Sequence, residues 1–114
     1  MKRDILSQVS PTAVAATPAD VEVVAPADVV SFLREHGGAV YVWVSFHRGA
    51  CCRLGFLETA TVDPATGERY FRRLRADGFD LYLEARQRVW PQVIELALRR
   101  RRVVAYWNGL AWIP

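Results

Sequence analysis

The most regular pattern in the chain is an alternation over residues 39 to 47. Val40, Val42, Val44 and Phe46 fall on one side, and Tyr41, Trp43, Ser45 and His47 on the other. A period of two predicts a β-strand, and bulky groups at both phases predict that both of its faces are covered. Just upstream the period lengthens. Val29, Val30, Phe32 and Leu33 recur at helical spacing, Asp28 has the chemistry of a helix cap, and Gly37-Gly38 can leave the helix through left-handed backbone. A short amphipathic helix therefore precedes the strand.

Beyond the strand, RGACCR breaks the alternation, and Leu54 to Val62 reads as a second strand. The two strands predict a hairpin around the cysteine-bearing loop, followed by a tight turn in DPATGE, residues 63 to 68. Tyr70, Phe71 and Leu74 belong to an Arg-rich strand or loop. Asp77-Gly78 predicts a turn, and Phe79, Leu81 and Leu83 predict a third core-facing strand. Residues 84 to 90 read as a short helix stopped by Pro91. QVIELALRRRR fits either period and is read as a strand. Val103 to Trp107, Asn108-Gly109 and Leu110 to Ile113 form the strongest local signal, a hairpin through a turn whose central residues take positive φ.

Residues 1 to 25, with Pro11 and Pro18 and no sustained period, are expected to form a flexible tail, with Val21, Val23 and Val24 as a loosely attached edge strand at most. The expected fold is thus α+β: a mostly antiparallel β-core with one or two short helices, in a single domain over residues 26 to 114.

Composition supports one core and little else. A chain of 114 residues with 52% apolar residues can fold without a disulfide or metal scaffold. Its only two cysteines are adjacent and cannot staple distant segments. The first 20 residues lack the apolar run of a signal peptide, and no stretch is long enough to span a membrane. The expectation is a soluble cytoplasmic protein with reduced thiols and no membrane partner. Charge is uneven: residues 1 to 38 hold three Lys/Arg and five acids, while residues 69 to 102 hold ten Arg and four acids. Arg99, Arg100, Arg101 and Arg102 form a block suited to an anion or an acidic protein partner, although a solvated turn explains them more simply. No aromatic RNA-binding signature accompanies them, so nucleic acid is not favoured.

Cys51 and Cys52 are the residues with chemical interest. Buried cysteines are commonly small hydrophobes, and on a regular strand the pair would face opposite ways. Against that, Gly49 and Ala50 interrupt the strand before them, Arg48 and Arg53 would favour thiolates, and His47 is close in sequence. Paired thiolates suit zinc or an iron-sulfur cluster, but a four-thiolate site needs two chains, hence a homodimer, with His47 as a further nitrogen donor. Two other uses stay open. The pair can cycle between dithiol and disulfide, or the cysteines can be structural in a protein-interaction module. The chain has no Gly-rich phosphate loop, nucleophile elbow or His-Glu-x-x-His pair, so a binding protein or carrier is expected rather than an enzyme. His36 sits where a cation suits the end of the first helix.

Over residues 27 to 114 the order of parts resembles the HesB/IscA-like family of iron-sulfur cluster carriers and scaffolds. PADVVSFLREHGG, AVYVWVSF, HRGACCRLG and FLETATV look like that family's helix, strand, cysteine loop and second strand. DGFDLYLEARQRVW is similar to its later strand and small helix, and VVAYWNGLAWIP to its final hairpin. The resemblance implies that Cys51 or Cys52 occupies the place of the first cluster-ligating cysteine. It departs at the end of the chain, where the family's Cys-Gly-Cys gives way to Asn108-Gly109-Leu110-Ala111-Trp112. The vicinal pair is closer to a divergent HesB-related group with a Cys-Cys or Cys-selenocysteine motif.

Overall fold

A computed structural model describes residues 9, 10, 12–48, 53–64, 70–85 and 88–113. Among the described residues one α-helix, α1 (Ala27–Glu35), and one turn of 3-10 helix (Pro18–Asp20) lie among nine strands: β1 (Val14–Ala15), β2 (Glu22–Val24), β3 (Ala39–Arg48), β4 (Arg53–Ala60), β5 (Phe71–Ala76), β6 (Phe79–Glu84), β7 (Trp90–Pro91), β8 (Val93–Arg99) and β9 (Arg102–Trp107). The architecture is mixed, mostly strand, with antiparallel and mixed sheets. Among the described residues no helix is long and apolar enough to cross a membrane.

Helix α1 forms where the spacing places it, but its start differs. Pro26, in extended backbone, is the N-cap, and Asp28 sits inside the first turn, where its carboxylate accepts the N–H of Val29 at 2.8 Å. Proline has no N–H to satisfy and a φ already suited to helix entry, so it takes the boundary that Asp28 was expected to hold. At the other end the N–H of Gly38 bonds the carbonyl of Leu33 at 2.7 Å, with Gly37 at φ 103 and Gly38 at φ 78. This six-to-one bond requires left-handed backbone, which is why two glycines follow the helix. His36 ends the helix as expected, with Nδ1 2.7 Å from the carbonyl oxygen of Phe32 and its ring stacked on Phe32.

The larger sheet has strand order β4-β3-β6-β5, and a second sheet has order β2-β8-β9. The β3 alternation holds: Val40 and Val42 are fully buried, as are Leu81 and Leu83 on the adjacent β6. Ile94 and Leu96 of β8 and Val29 and Leu33 of α1 close the same core. The sheets meet where β4 approaches β9. The Thr59 hydroxyl donates to the Val103 carbonyl, and Gly55 pairs with Ile113 from the end of the chain.

Three expectations about local structure are corrected. The flexible tail gives way from Val14 onward: β1 pairs with β7, β2 takes the edge position that Val21, Val23 and Val24 allowed and runs parallel to β8, and Ala15, Pro18 and Val21 are buried. Segments this short form only because a distant partner completes their hydrogen bonds. The helix expected over 84 to 90 is not formed by the described residues. Glu84 ends β6 and Trp90-Pro91 is the short strand β7. Pro91 biases the preceding residue towards extended backbone, and both side chains are buried against the fold.

The terminal hairpin also changes. Asn108 (φ 48) and Gly109 (φ 84) adopt the expected turn, and Trp107 and Leu110 exchange two hydrogen bonds of 2.8 Å. The pairing stops after that single pair, because Ile113 leaves to bond Gly55. The main partner of β9 is β8, reached through Arg100 (φ 51) and Arg101 (φ 63), with Arg99 opposite Arg102. Two successive left-handed arginines occupy a turn that favours Asn and Gly.

Candidate functional site

Strands β3 and β4 run in register from Tyr41–Ala60 to His47–Leu54 and Arg48–Arg53. The predicted hairpin is therefore present, and the connection that carries Cys51 and Cys52 is only residues 49–52. Those four residues lie outside the described ones. For His47, Arg48 and Arg53 the main-chain pairing alone is described, and it places all three on the last two rungs of the ladder. The turn expected in DPATGE falls mostly on residues 65–69, which also lie outside the described residues.

The surface next to those rungs is apolar. Phe46 is 54% exposed, Leu54 41% and Trp112 48%. Phe46 and Ile113 flank Gly55 so tightly that a Cβ built there would lie 3.2 Å from the Ile113 Cβ and 3.5 Å from the Phe46 ring. Trp112 packs edge-on against Phe56 at 5.7 Å. Beside Phe46 opens a cavity of about 390 Å³ walled by Val44, Val89, Trp107 and Ile113, with Glu84 and Arg88 as its polar members. The Glu84 carboxylate accepts the N–H of Val44 at 3.2 Å, continuing the β6 ladder past the last backbone pair. Among the described residues no three His, Cys, Asp or Glu side chains come together as a metal-holding group.

The arginine block lies elsewhere. Arg99 to Arg102 form the tip of the β8–β9 hairpin, beside the Ala60 end of β4, whereas the cysteine connection is at the Arg53 end. Eight residues of strand set those ends about 23 Å apart at the usual rise per residue. Arg99 donates to the Tyr106 hydroxyl at 3.0 Å. Arg101 and Arg102 line a second cavity of about 290 Å³ with Phe32, Thr59, Thr61 and Val62.

Two constellations escaped the sequence reading. The outer face of the larger sheet carries an aromatic cluster: Tyr41 stacks on Tyr82 at 4.8 Å and meets the edge of Phe71 at 5.3 Å. On the same face the indole N–H of Trp43 and the hydroxyl of Ser45 both donate to one oxygen of Glu58, at 3.0 and 2.5 Å. Burial, then the Asp63 carboxylate and then Tyr82, push the Tyr41 hydroxyl above the usual phenol range. The alternate phase of the β3 pattern was the available signal, but only the register with β4, β5 and β6 assembles the cluster.

The second is Asn108, which is 4% exposed. Its side-chain oxygen accepts the N–H of Val93 at 3.0 Å, and its amide donates to the carbonyls of Ala13 and Ser10 at 2.7 and 3.3 Å. Comparisons with protein-family models, curated proteins and solved structures return no match to this chain.

Proposed function

We propose that the protein holds a soft metal ion or an iron-sulfur cluster as cargo through Cys51 and Cys52, in the manner of a HesB/IscA-like carrier. The observation that carries this reading is the β3–β4 register. Pairing persists to Arg48–Arg53, so both cysteines share a four-residue connection at the end of a two-stranded hairpin. Two thiols so close in sequence, between two arginines, form a donor set suited to soft ions, because neighbouring cations favour the thiolate. The order helix, strand, cysteine connection, strand supports the family part of the reading.

The donor count sets the assembly. One chain supplies two thiolates where zinc or a cluster takes four ligands, so the reading requires two copies meeting at this hairpin, or one copy with His47 and an outside ligand. Exposed Phe46, Leu54 and Trp112 beside the hairpin favour the two-copy form, since apolar side chains gathered at one end gain from being covered. The bound cargo supplies the redox or Lewis-acid chemistry, and the chain supplies thiolates, positive charge and an apolar collar.

The test is anaerobic reconstitution with ferrous iron and sulfide, in parallel with zinc titration, on the native chain and a Cys51→Ser, Cys52→Ser variant. Visible thiolate-to-iron absorption with two chains per cluster in the native protein, lost in the variant, is the expected result. Absence of both a cluster band and stoichiometric zinc binding in the native protein overturns the reading. Thiols that resist labelling in the folded protein point instead to structural cysteines.

A further inference from the structure

The β8–β9 tip is built against local preference. A two-residue turn with both central residues left-handed is ordinarily made of Asn and Gly, yet this chain places Arg100 and Arg101 there at φ 51 and 63. Observed strain of this kind points to a role for the side chains so presented. The Asn-Gly alternative is used elsewhere in the same chain, at Asn108-Gly109.

Arg101 and Arg102 line the cavity of about 290 Å³ between the end of β4, the start of β9 and α1. Its other described walls are Phe32, Thr59, Ala60, Thr61, Val62 and Val103. No Asp or Glu is among the described lining residues. Arg100, Arg101 and Arg102 make no ion pair among the described residues, unlike Arg73, which lies 3.2 Å from Asp80. Guanidinium groups with no carboxylate partner among the described residues, presented by a turn at the mouth of a cavity, match the fork geometry of a phosphate. Phe32 and Val62 add an apolar wall, and Phe32 is itself steadied by the His36 ring stacked on it at 4.0 Å.

We infer that this cavity binds the phosphate monoester of a small organic molecule, with Arg101 and Arg102 on the phosphate and Phe32 and Val62 against its apolar body. The volume is near the lower end of small-ligand pockets. That size, and walls formed by three separate elements, fit a compact ligand rather than a strand of nucleic acid. The site is independent of the cysteines, so its failure leaves the metal reading untouched.

Phenyl phosphate is the probe, titrated by calorimetry and by amide chemical shifts in buffer of constant chloride, beside inorganic phosphate and a single-stranded oligodeoxynucleotide. The expected result is saturable binding of phenyl phosphate, at least fivefold tighter than inorganic phosphate, with shifts centred on residues 59 to 62 and 101 to 103. Arg101→Gly should weaken binding at least tenfold while raising Tm, because it removes a guanidinium and relieves a left-handed residue together. Arg102→Gln should also weaken binding, and Arg75→Gln on β5 should leave it unchanged. No saturable phenyl phosphate binding at 10 mM overturns the proposal, as does undiminished binding by Arg101→Gly. Preference for the oligonucleotide with steep salt dependence overturns it in favour of a nucleic-acid surface.

Discussion

Replacing Asn108 tests whether a turn residue holds three parts of the chain together. Its side chain ties β8 to residues 10–13 with three hydrogen bonds, while its backbone N–H donates to the Val93 carbonyl at 2.9 Å. Glycine at this position keeps φ 48 without strain and deletes only the side-chain bonds. The Val93 N–H is then left without its acceptor inside the fold, where Val93 is 2% exposed. An unsatisfied buried donor costs about 1–3 kcal/mol. The carbonyls of Ser10 and Ala13 are nearer the surface and can turn to water, so their loss adds less. Asn108→Gly should therefore cost about 2–3 kcal/mol. Asn108→Ala loses the same bonds and adds a left-handed Cβ, worth about 1 kcal/mol more.

Urea unfolding followed by tryptophan fluorescence measures both variants, with Trp90 and Trp107 buried close to the affected segments. Hydrogen exchange gives the local reading. The amide of Val93 should lose protection first, and limited proteolysis should cut the segment before β1 in the variants but not in the native protein. The reasoning fails if Asn108→Gly costs less than about 0.5 kcal/mol, below the usual worth of one hydrogen bond. It also fails if glycine and alanine are equally destabilising, because that removes the conformational part of the account.

Other expectations follow from the same structure. Arg100→Asn combined with Arg101→Gly should stabilise the fold by about 1 kcal/mol, read as a rise in Tm, by relieving the left-handed pair. Leu81→Ala should cost about 2–5 kcal/mol by equilibrium unfolding, since Leu81 is fully buried between α1 and the strands. Glu58→Ala removes the acceptor shared by Trp43 and Ser45 and should cost about 1–2 kcal/mol with a change in indole fluorescence. The raised Tyr41 hydroxyl gives stability that is present below the ordinary phenol pKa of about 10 and is lost as pH climbs through the higher folded value. Tyr41→Phe should flatten that alkaline loss, and an unchanged unfolding profile above pH 10 in the variant would contradict it.

What the sequence made legible is what contiguous residues decide. The β3 alternation, the glycine exit of α1 and the Asp77-Gly78 turn each carry their own local physics, and each forms where the pattern places it. The misses share a different cause. The valines at 21, 23 and 24 allow an edge strand, but that Glu22 to Val24 pair parallel with β8, some 70 residues later, and that Val14–Ala15 pair with β7, no nearby feature announces. At the end of the chain the Asn108-Gly109 turn forms as its residues predict, but where the chain goes next depends on Gly55, whose missing side chain leaves room for Ile113. The arginine block forms the solvated turn that its charge suggests, but its left-handed geometry is not legible locally: the residues argue against a tight turn of that hand, and the pairing of β8 with β9 overrides them. For the candidate thiol site, residue types marked the chemistry and strand register fixed the length of the connection. On the proposed soft-metal reading, ligand count then turns that connection into a question of assembly, because four soft donors from two thiols per chain would be a property of two molecules, and neither pattern nor register within one chain encodes it.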